Sequence, residues 1–186
     1  MQSGLKKFYK RNADFQEFYH RIKFAPCPNC QRTGCLILHG YLYGYDEKSN
    51  HQKFTRGHRI FCSNRNRRQG CGRTFSVLAA HVLKNFTIST KSLWGFLNHL
   101  VQGMNKLAAF ALLGLPFSVS SVYRLYQRIY LRQHRLRTLL LKKSPPPGDV
   151  QSRNPLIKTI LHIKSAFPHD PDPLSAFQSH FQTSLL

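Results

Sequence analysis

All five cysteines of the chain lie between Cys27 and Cys71, and their spacing constrains the fold more than any other feature. Cys27-Pro28-Asn29-Cys30 is a C-x2-C turn, in which backbone N–H groups point toward the thiolates and two sulfurs can share one tetrahedral ion. A second pair, Cys62 and Cys71, follows, with Gly72 directly after it. Four thiolates in this pattern predict a closed structural zinc site with Cys27, Cys30, Cys62 and Cys71 as ligands. Because the second pair is widely spaced, His58 or His51 in place of one sulfur stays open. Cys35, at the start of a predicted strand, reads as a half-buried small residue, and His39 as a strand residue. The odd cysteine count and the lack of an uninterrupted apolar leader argue against a disulfide framework.

Between the two pairs, residues 36–43 and 57–61 are rich in β-branched and aromatic side chains and are separated by a polar loop, 46–53. Residues 73–78 supply a third strand, so the predicted order is knuckle, strand, strand, knuckle, strand. Three runs carry a resemblance: Cys27-Pro28-Asn29-Cys30, Arg59-Ile60-Phe61-Cys62 and Cys71-Gly72-Arg73-Thr74-Phe75. Together they resemble the zinc ribbon at the N-terminus of bacterial insertion-sequence transposases, over about residues 24–80. In that family the second knuckle is usually C-x2-C, whereas here residues 63–70 intervene. The insertion contains Arg65, Arg67 and Arg68, and with Arg73 it would present a basic finger to phosphate.

The charge pattern points the same way. The 186 residues include 28 Lys and Arg against 7 Asp and Glu, a formal net charge of +21, and a chain this basic is expected to find a polyanion. Residues 1–80 hold 15 basic and 4 acidic side chains, 81–143 hold 10 and none, and 144–186 hold 3 and 3, so the excess lies before residue 144. At 41% hydrophobic residues the chain has enough apolar material for a core, which separates it from disordered basic tails. No apolar run approaches the roughly 20 residues of a spanning helix. The expected setting is the bacterial cytoplasm, associated with the nucleoid, without a membrane.

Within the acid-free segment the apolar spacing is helical, at Leu93, Leu97, Leu100, Val101 and Met104, interrupted near Gly103, and again at Val122, Leu125, Ile129, Leu136 and Leu140. Ser118 or Ser120 is the expected N-cap of the longer helix. Ala109 to Leu115 followed by Ser118-Val119-Ser120-Ser121-Val122-Tyr123-Arg124 resembles a helix-turn-helix, and in the transposases a ribbon followed by such a unit binds the element's ends. The resemblance puts Ser120, Ser121 and Arg124 at the groove. Independently of it, Arg124, Arg128, Arg132 and Arg135 recur at helical spacing and place four guanidiniums along one helix side. Tyr123, Tyr126 and Tyr130 could contact phosphate or pack.

The expected fold is small α+β: an amphipathic N-terminal helix over 1–23, a three-stranded zinc ribbon over 24–80, and a helical, helix-turn-helix-like DNA-binding region over 81–143. A Pro-rich linker and partly ordered tail over 144–186 would follow, with the boundary at Ser144-Pro145-Pro146-Pro147-Gly148. The expected function is that of a nonenzymatic binder of double-stranded DNA with structural Zn2+, transposase-related but lacking the catalytic domain. The transposases cut with three carboxylates on a separate domain. After residue 80 this chain has only Asp149, Asp170 and Asp172. An RNA- or ribosome-binding zinc module and a protein-interaction adaptor are the alternatives, and a homodimer or a separate catalytic chain stays open.

Overall fold

The computed structural model describes residues 7–22, 24–49, 51–65, 67–148 and 152–186. The chain divides into two compact units, one of residues 1–45 and 51–80 and one of 46–50 and 81–186.

The first unit is a sheet with one helix. Strand β1 (Phe8–Tyr9) precedes helix α1 (Asn12–Ile22), and strands β2 (Leu36–Tyr45), β3 (Lys53–Cys62) and β4 (Thr74–Ala79) follow. The sheet order is β1-β4-β3-β2, antiparallel except for the parallel β1–β4 pair. Two expectations are corrected here. The first twenty-odd residues are not one helix: Phe8 and Tyr9 are extended, and the N–H groups of Leu78 and Ala80 donate to Lys7 and Tyr9 carbonyls at 2.8 Å. The sheet therefore has four strands rather than three. Residues 1–6 and 23 of the expected helix lie outside the described residues.

Helix α1 starts where Asp14 reaches back to the Arg11 N–H (2.9 Å), half of a capping box. Phe15, Phe18 and Ile22, at intervals of three and four, are its buried face. They join Leu36, Ile60 and Val77 of the sheet in the unit's core. Two irregularities in the β2–β3 register, between Leu38 and Gly40 and between Leu42 and Tyr43, twist this long hairpin.

The second unit is helical: α2 (Thr90–Val101), α3 (Lys106–Ala111), α4 (Val119–Leu141), α5 (Pro155–Ala166) and α6 (Pro173–Phe181). Helix α2 ends just before Gly103, whose φ of +88° suits glycine. Its N-cap, Ser89, is itself held by Glu47, which takes the Ser89 N–H at 2.7 Å and the Ser92 hydroxyl at 2.6 Å.

The expected break at 144–148 is not where the chain divides. Helices α5 and α6 lie in the same core as α2 and α4: Leu156, Ile160, Ile163, Leu174 and Phe177 are buried with Leu93, Leu97, Leu125 and Ile129. Even the terminal Leu185 and Leu186 are buried. The polyproline stretch is therefore an internal connection, fixed at its start by the His162 Nε2–H donating to the Ser144 carbonyl at 3.0 Å. The expected partly ordered tail is corrected to core helices, because their apolar residues complete a face that α2 and α4 leave open. No helix among the described residues is long and apolar enough to cross a membrane.

Candidate metal centre and nucleic-acid interface

Two knuckles of the first unit bring four sulfurs together. The C-x2-C turn closes through the Gln31 N–H on the Cys27 carbonyl and the Cys27 N–H on the Arg32 carbonyl, both at 2.9 Å. Cys62 ends β3, and Cys71 lies just before β4. The Sγ atoms of Cys27, Cys30, Cys62 and Cys71 all lie within 4.8 Å of one another. Cys27 and Cys71 are 3.8 Å apart, Cys30 and Cys62 3.7 Å. A tetrahedron with metal–sulfur arms of about 2.3 Å has edges of about 3.8 Å, so the spacing fits a single metal ion. It is also far too long for a disulfide, whose sulfurs sit about 2.05 Å apart.

The surroundings act on the thiols in opposite directions. The Asn29 N–H points at Cys27 Sγ (3.4 Å) and the Cys71 N–H at Cys62 Sγ (3.3 Å). The Arg32 N–H lowers the Cys30 thiol to about 7, whereas burial pushes Cys62 up to about 12. A cation among the sulfurs would remove the cost that burial imposes on Cys62.

The enlarged second knuckle is closed at its neck. The Gly70 N–H donates to the Ser63 carbonyl and the Gly72 N–H to the Cys62 carbonyl, both at 2.9 Å, and Arg32 donates to the Gln69 carbonyl. A Cβ on Gly70 would stand 2.3 Å from the Ser63 oxygen and 2.7 Å from Cys62 Sγ, so only glycine fits beside this ligand. Arg65, Arg67, Arg68 and Arg73 are all exposed around the loop, Arg67 with a positive φ of 63°. Asn66 lies outside the described residues.

The alternative histidine ligands are not part of the cluster. His58 is buried against Phe15 and His51 is exposed, while His39, the expected strand residue, is exposed beside Phe61. Cys35 is buried and donates to the Thr33 carbonyl at 3.4 Å, as a small packed residue does.

In the second unit, α4 buries Val122, Leu125, Ile129, Leu136 and Leu140. At about 100° per residue, Arg124, Arg128, Arg132 and Arg135 fall on one flank of that stripe and Tyr123, Tyr126 and Tyr130 on the other. Arg124, Arg128 and Arg135 are exposed and Arg132 half-buried. Arg128 lies 5.5 Å over the Phe86 ring, and Arg135 donates to the Thr183 hydroxyl at 3.3 Å, so two of the four already have neighbours. Tyr126 packs against the core, its ring under Lys106 Nζ at 4.1 Å.

The start of α4 lacks a side-chain cap. Ser118 is the N-cap residue, yet its hydroxyl pairs with those of Ser120 (2.9 Å) and Ser121 (3.1 Å) instead of a backbone N–H. Ser121, Arg124 and Arg128 also line a cavity of about 320 Å³ walled by Phe86, Phe110 and Phe117. The connection from α3 to α4, residues 112–118, turns at Gly114 with a φ of +59°.

Two contributors were missed by the sequence reading: Gly70, and the exposed tyrosines of β2. The Tyr-Leu-Tyr-Gly-Tyr alternation of residues 41–45 was their signal.

Compared with protein-family models, curated proteins and solved structures, the chain matches none.

Proposed function

We propose that the chain is a DNA-binding protein stapled by a structural zinc ion, related in plan to the end-binding front half of an insertion-sequence transposase and without cutting chemistry of its own. The observation that carries it is the Arg flank of α4. The helix buries its apolar stripe while keeping Arg124, Arg128 and Arg135 in solvent, and no acid lies between residues 81 and 143 to neutralise them. Like charges at i and i+4 destabilise a helix by about 0.2–0.5 kcal/mol per pair, a cost that phosphate binding would offset.

The hydroxyls of Ser118, Ser120 and Ser121 stand at a helix N-terminus whose N–H groups favour anions, which suits contact with the backbone at the mouth of a groove. Arg124 is the guanine-reading candidate. The Arg65, Arg67, Arg68 and Arg73 cluster adds phosphate contacts from the metal-stapled unit. Zinc is the ion of choice for four thiolates in a tetrahedron without redox chemistry.

The nonenzymatic reading draws on the acids. Asp14 and Glu17 pair with Arg11 and Arg21, Asp46 accepts the Lys48 N–H, Glu47 holds Ser89 and Ser92, and Asp172 caps α6. These acids thus have structural partners. The adaptor alternative placed the partner site in the tail, but α5 and α6 already bury their apolar faces within their own unit.

The test is a titration of zinc-loaded protein against labelled duplex DNA over a range of salt. Neutralising about 6–8 phosphates gives a slope of log K against log salt of roughly −5 to −7. Weak, salt-insensitive association, or tighter binding to structured RNA at matched salt, would sink the reading.

A further inference from the structure

The β2–β3 hairpin carries an aromatic row that neither the metal centre nor the Arg flank uses. Tyr41, Tyr43 and Tyr45 alternate with half-buried Leu42 and Gly44, so the three rings leave the sheet on one face. They are 54%, 63% and 48% exposed. The Tyr41 and Tyr43 centroids are 6.1 Å apart with planes 40° from parallel. The row begins where the covered part of the face ends, since Tyr41 lies 5.2 Å from His58 and His58 is stacked under Phe15 of α1.

A single exposed tyrosine on a strand needs no explanation. Three on successive outward positions withhold a large apolar area from the core and leave flat faces open to a ligand. The surrounding charge selects the ligand's sign. Lys53, paired with Tyr45 across the hairpin, sets its ammonium 5.6 Å over that ring. Nearby Asp46 turns its carboxylate onto the Lys48 N–H, and Glu47 gives both oxygens to Ser89 and Ser92.

A duplex does not fit such a row, because its bases hide their faces in the stack and offer only edges in the grooves. Alternate residues of a strand are about 6.7 Å apart, roughly twice the 3.4 Å rise of a stacked DNA strand. Rings at that interval match bases drawn apart from one another, as the free backbone of an unpaired strand permits at every step.

We infer that Tyr41, Tyr43 and Tyr45 form a stacking platform for an unpaired DNA strand, with Lys53 taking a phosphate beside it. The inference rests on the DNA-binding reading above and adds a second mode: the Arg flank engages duplex backbone, and the tyrosine row engages exposed bases. Stacking on aromatic side chains is sequence-tolerant because every base has a flat π-face, so a row of three rings is sufficient to set affinity.

The experiment measures anisotropy of short fluorescein-labelled oligo(dT), of the same-length oligo(U) and of a duplex, at matched low salt. It compares the wild-type chain, the triple Tyr41→Ala/Tyr43→Ala/Tyr45→Ala variant and the triple Tyr→Phe variant at the same positions. Metal content and circular dichroism check that both variants fold. The Ala variant should lose oligo(dT) affinity by about tenfold or more, and the Phe variant should keep it within about twofold, since stacking needs the ring and not the hydroxyl. Duplex affinity should be the same in all three. Equal oligo(dT) binding by the Ala variant, no oligo(dT) binding by the wild type, or tighter binding of oligo(U) would overturn the platform. Failure of the wild type to bind the duplex while it binds oligo(dT) would instead overturn the reading of α4, and loss of duplex binding in the tyrosine variants would overturn the platform as a separate mode.

Discussion

The imidazole of His58 lies flat on the ring of Phe15, with centroids 3.4 Å apart and planes within 6°. Through this contact β3 holds α1 to the sheet, and the rings of Tyr9 and Tyr41 close the site at 5.5 and 5.2 Å. His58 Nδ1 is buried and has no hydrogen-bond partner among the described residues. Burial therefore pushes the imidazole below its ordinary pKa.

The first prediction follows from that direction. Below about pH 6.5 the unfolded chain takes a proton that the folded chain resists, so the unfolded state binds more protons and stability falls with pH. The stability is present above the unfolded value and is lost as pH drops toward the lowered folded one. A His58→Phe variant keeps a flat ring and removes the titration. Between about pH 7.5 and pH 5.5 the zinc-loaded wild type should lose more melting temperature than this variant. Cysteine protonation is common to both proteins, so parallel pH curves would contradict the assignment.

Metal removal should act on one unit. The metal cluster lies wholly in the first unit, whereas the second has its own core, with the single tryptophan, Trp94, packed against it. Chelation should abolish β-sheet ellipticity and leave Trp94 emission near its native maximum, and Cys62→Ser should do the same. Gly70→Ala keeps all four thiols but crowds Cys62, and should weaken zinc by about 10–100-fold in a competition titration.

Asp172 should prove structural. It caps α6 through the Ser175 N–H at 3.1 Å and also accepts from the buried Thr90 hydroxyl of α2. Asp172→Ala removes a cap worth about 1 kcal/mol and a charge-assisted bond from the Thr90 hydroxyl worth about 1.5–3 kcal/mol, leaving that hydroxyl only the His81 carbonyl at 3.2 Å. Urea unfolding followed at Trp94 should show a loss of about 2–4 kcal/mol. Asp172→Asn, which can still cap and accept, should lose less.

The Arg flank predicts a graded salt effect. Arg124→Ala should flatten the slope of log K against log salt by about 1, and Arg124→Ala/Arg128→Ala by about 2. If Arg124 reads guanine, its loss also relaxes sequence preference, which selection from random duplexes would detect. Unchanged slopes in both variants would remove α4 from the interface.

Much of this protein was legible because it is local. The Cys-x2-Cys turn, the β-rich runs after it and the stripe from Val122 to Leu140 are patterns that a short window contains in full. The four sulfurs accordingly meet, and α4 buries the expected residues. The tail's two helices begin at Asn154-Pro155 and Asp172-Pro173, each an N-cap followed by proline, a local signal that the expectation of a partly ordered tail did not use. Their membership in the core was not visible, since the apolar face they fill belongs to helices far back in the chain.

By itself, then, the amino-acid sequence determined the four clustered cysteines, the long amphipathic helix and an acid-free basic stretch. Tertiary structure alone decided three other matters. Phe8 and Tyr9 became a strand because β4 offers a free edge about seventy residues later. Glu47 came to hold Ser89, the N-cap of α2, from 42 residues earlier in the chain. The chain divides after Ala80 rather than at the prolines. The physical reason is the same in each case: a stiff Pro-rich segment ends a helix locally, but only the burial of apolar faces contributed by distant segments decides which pieces share a core.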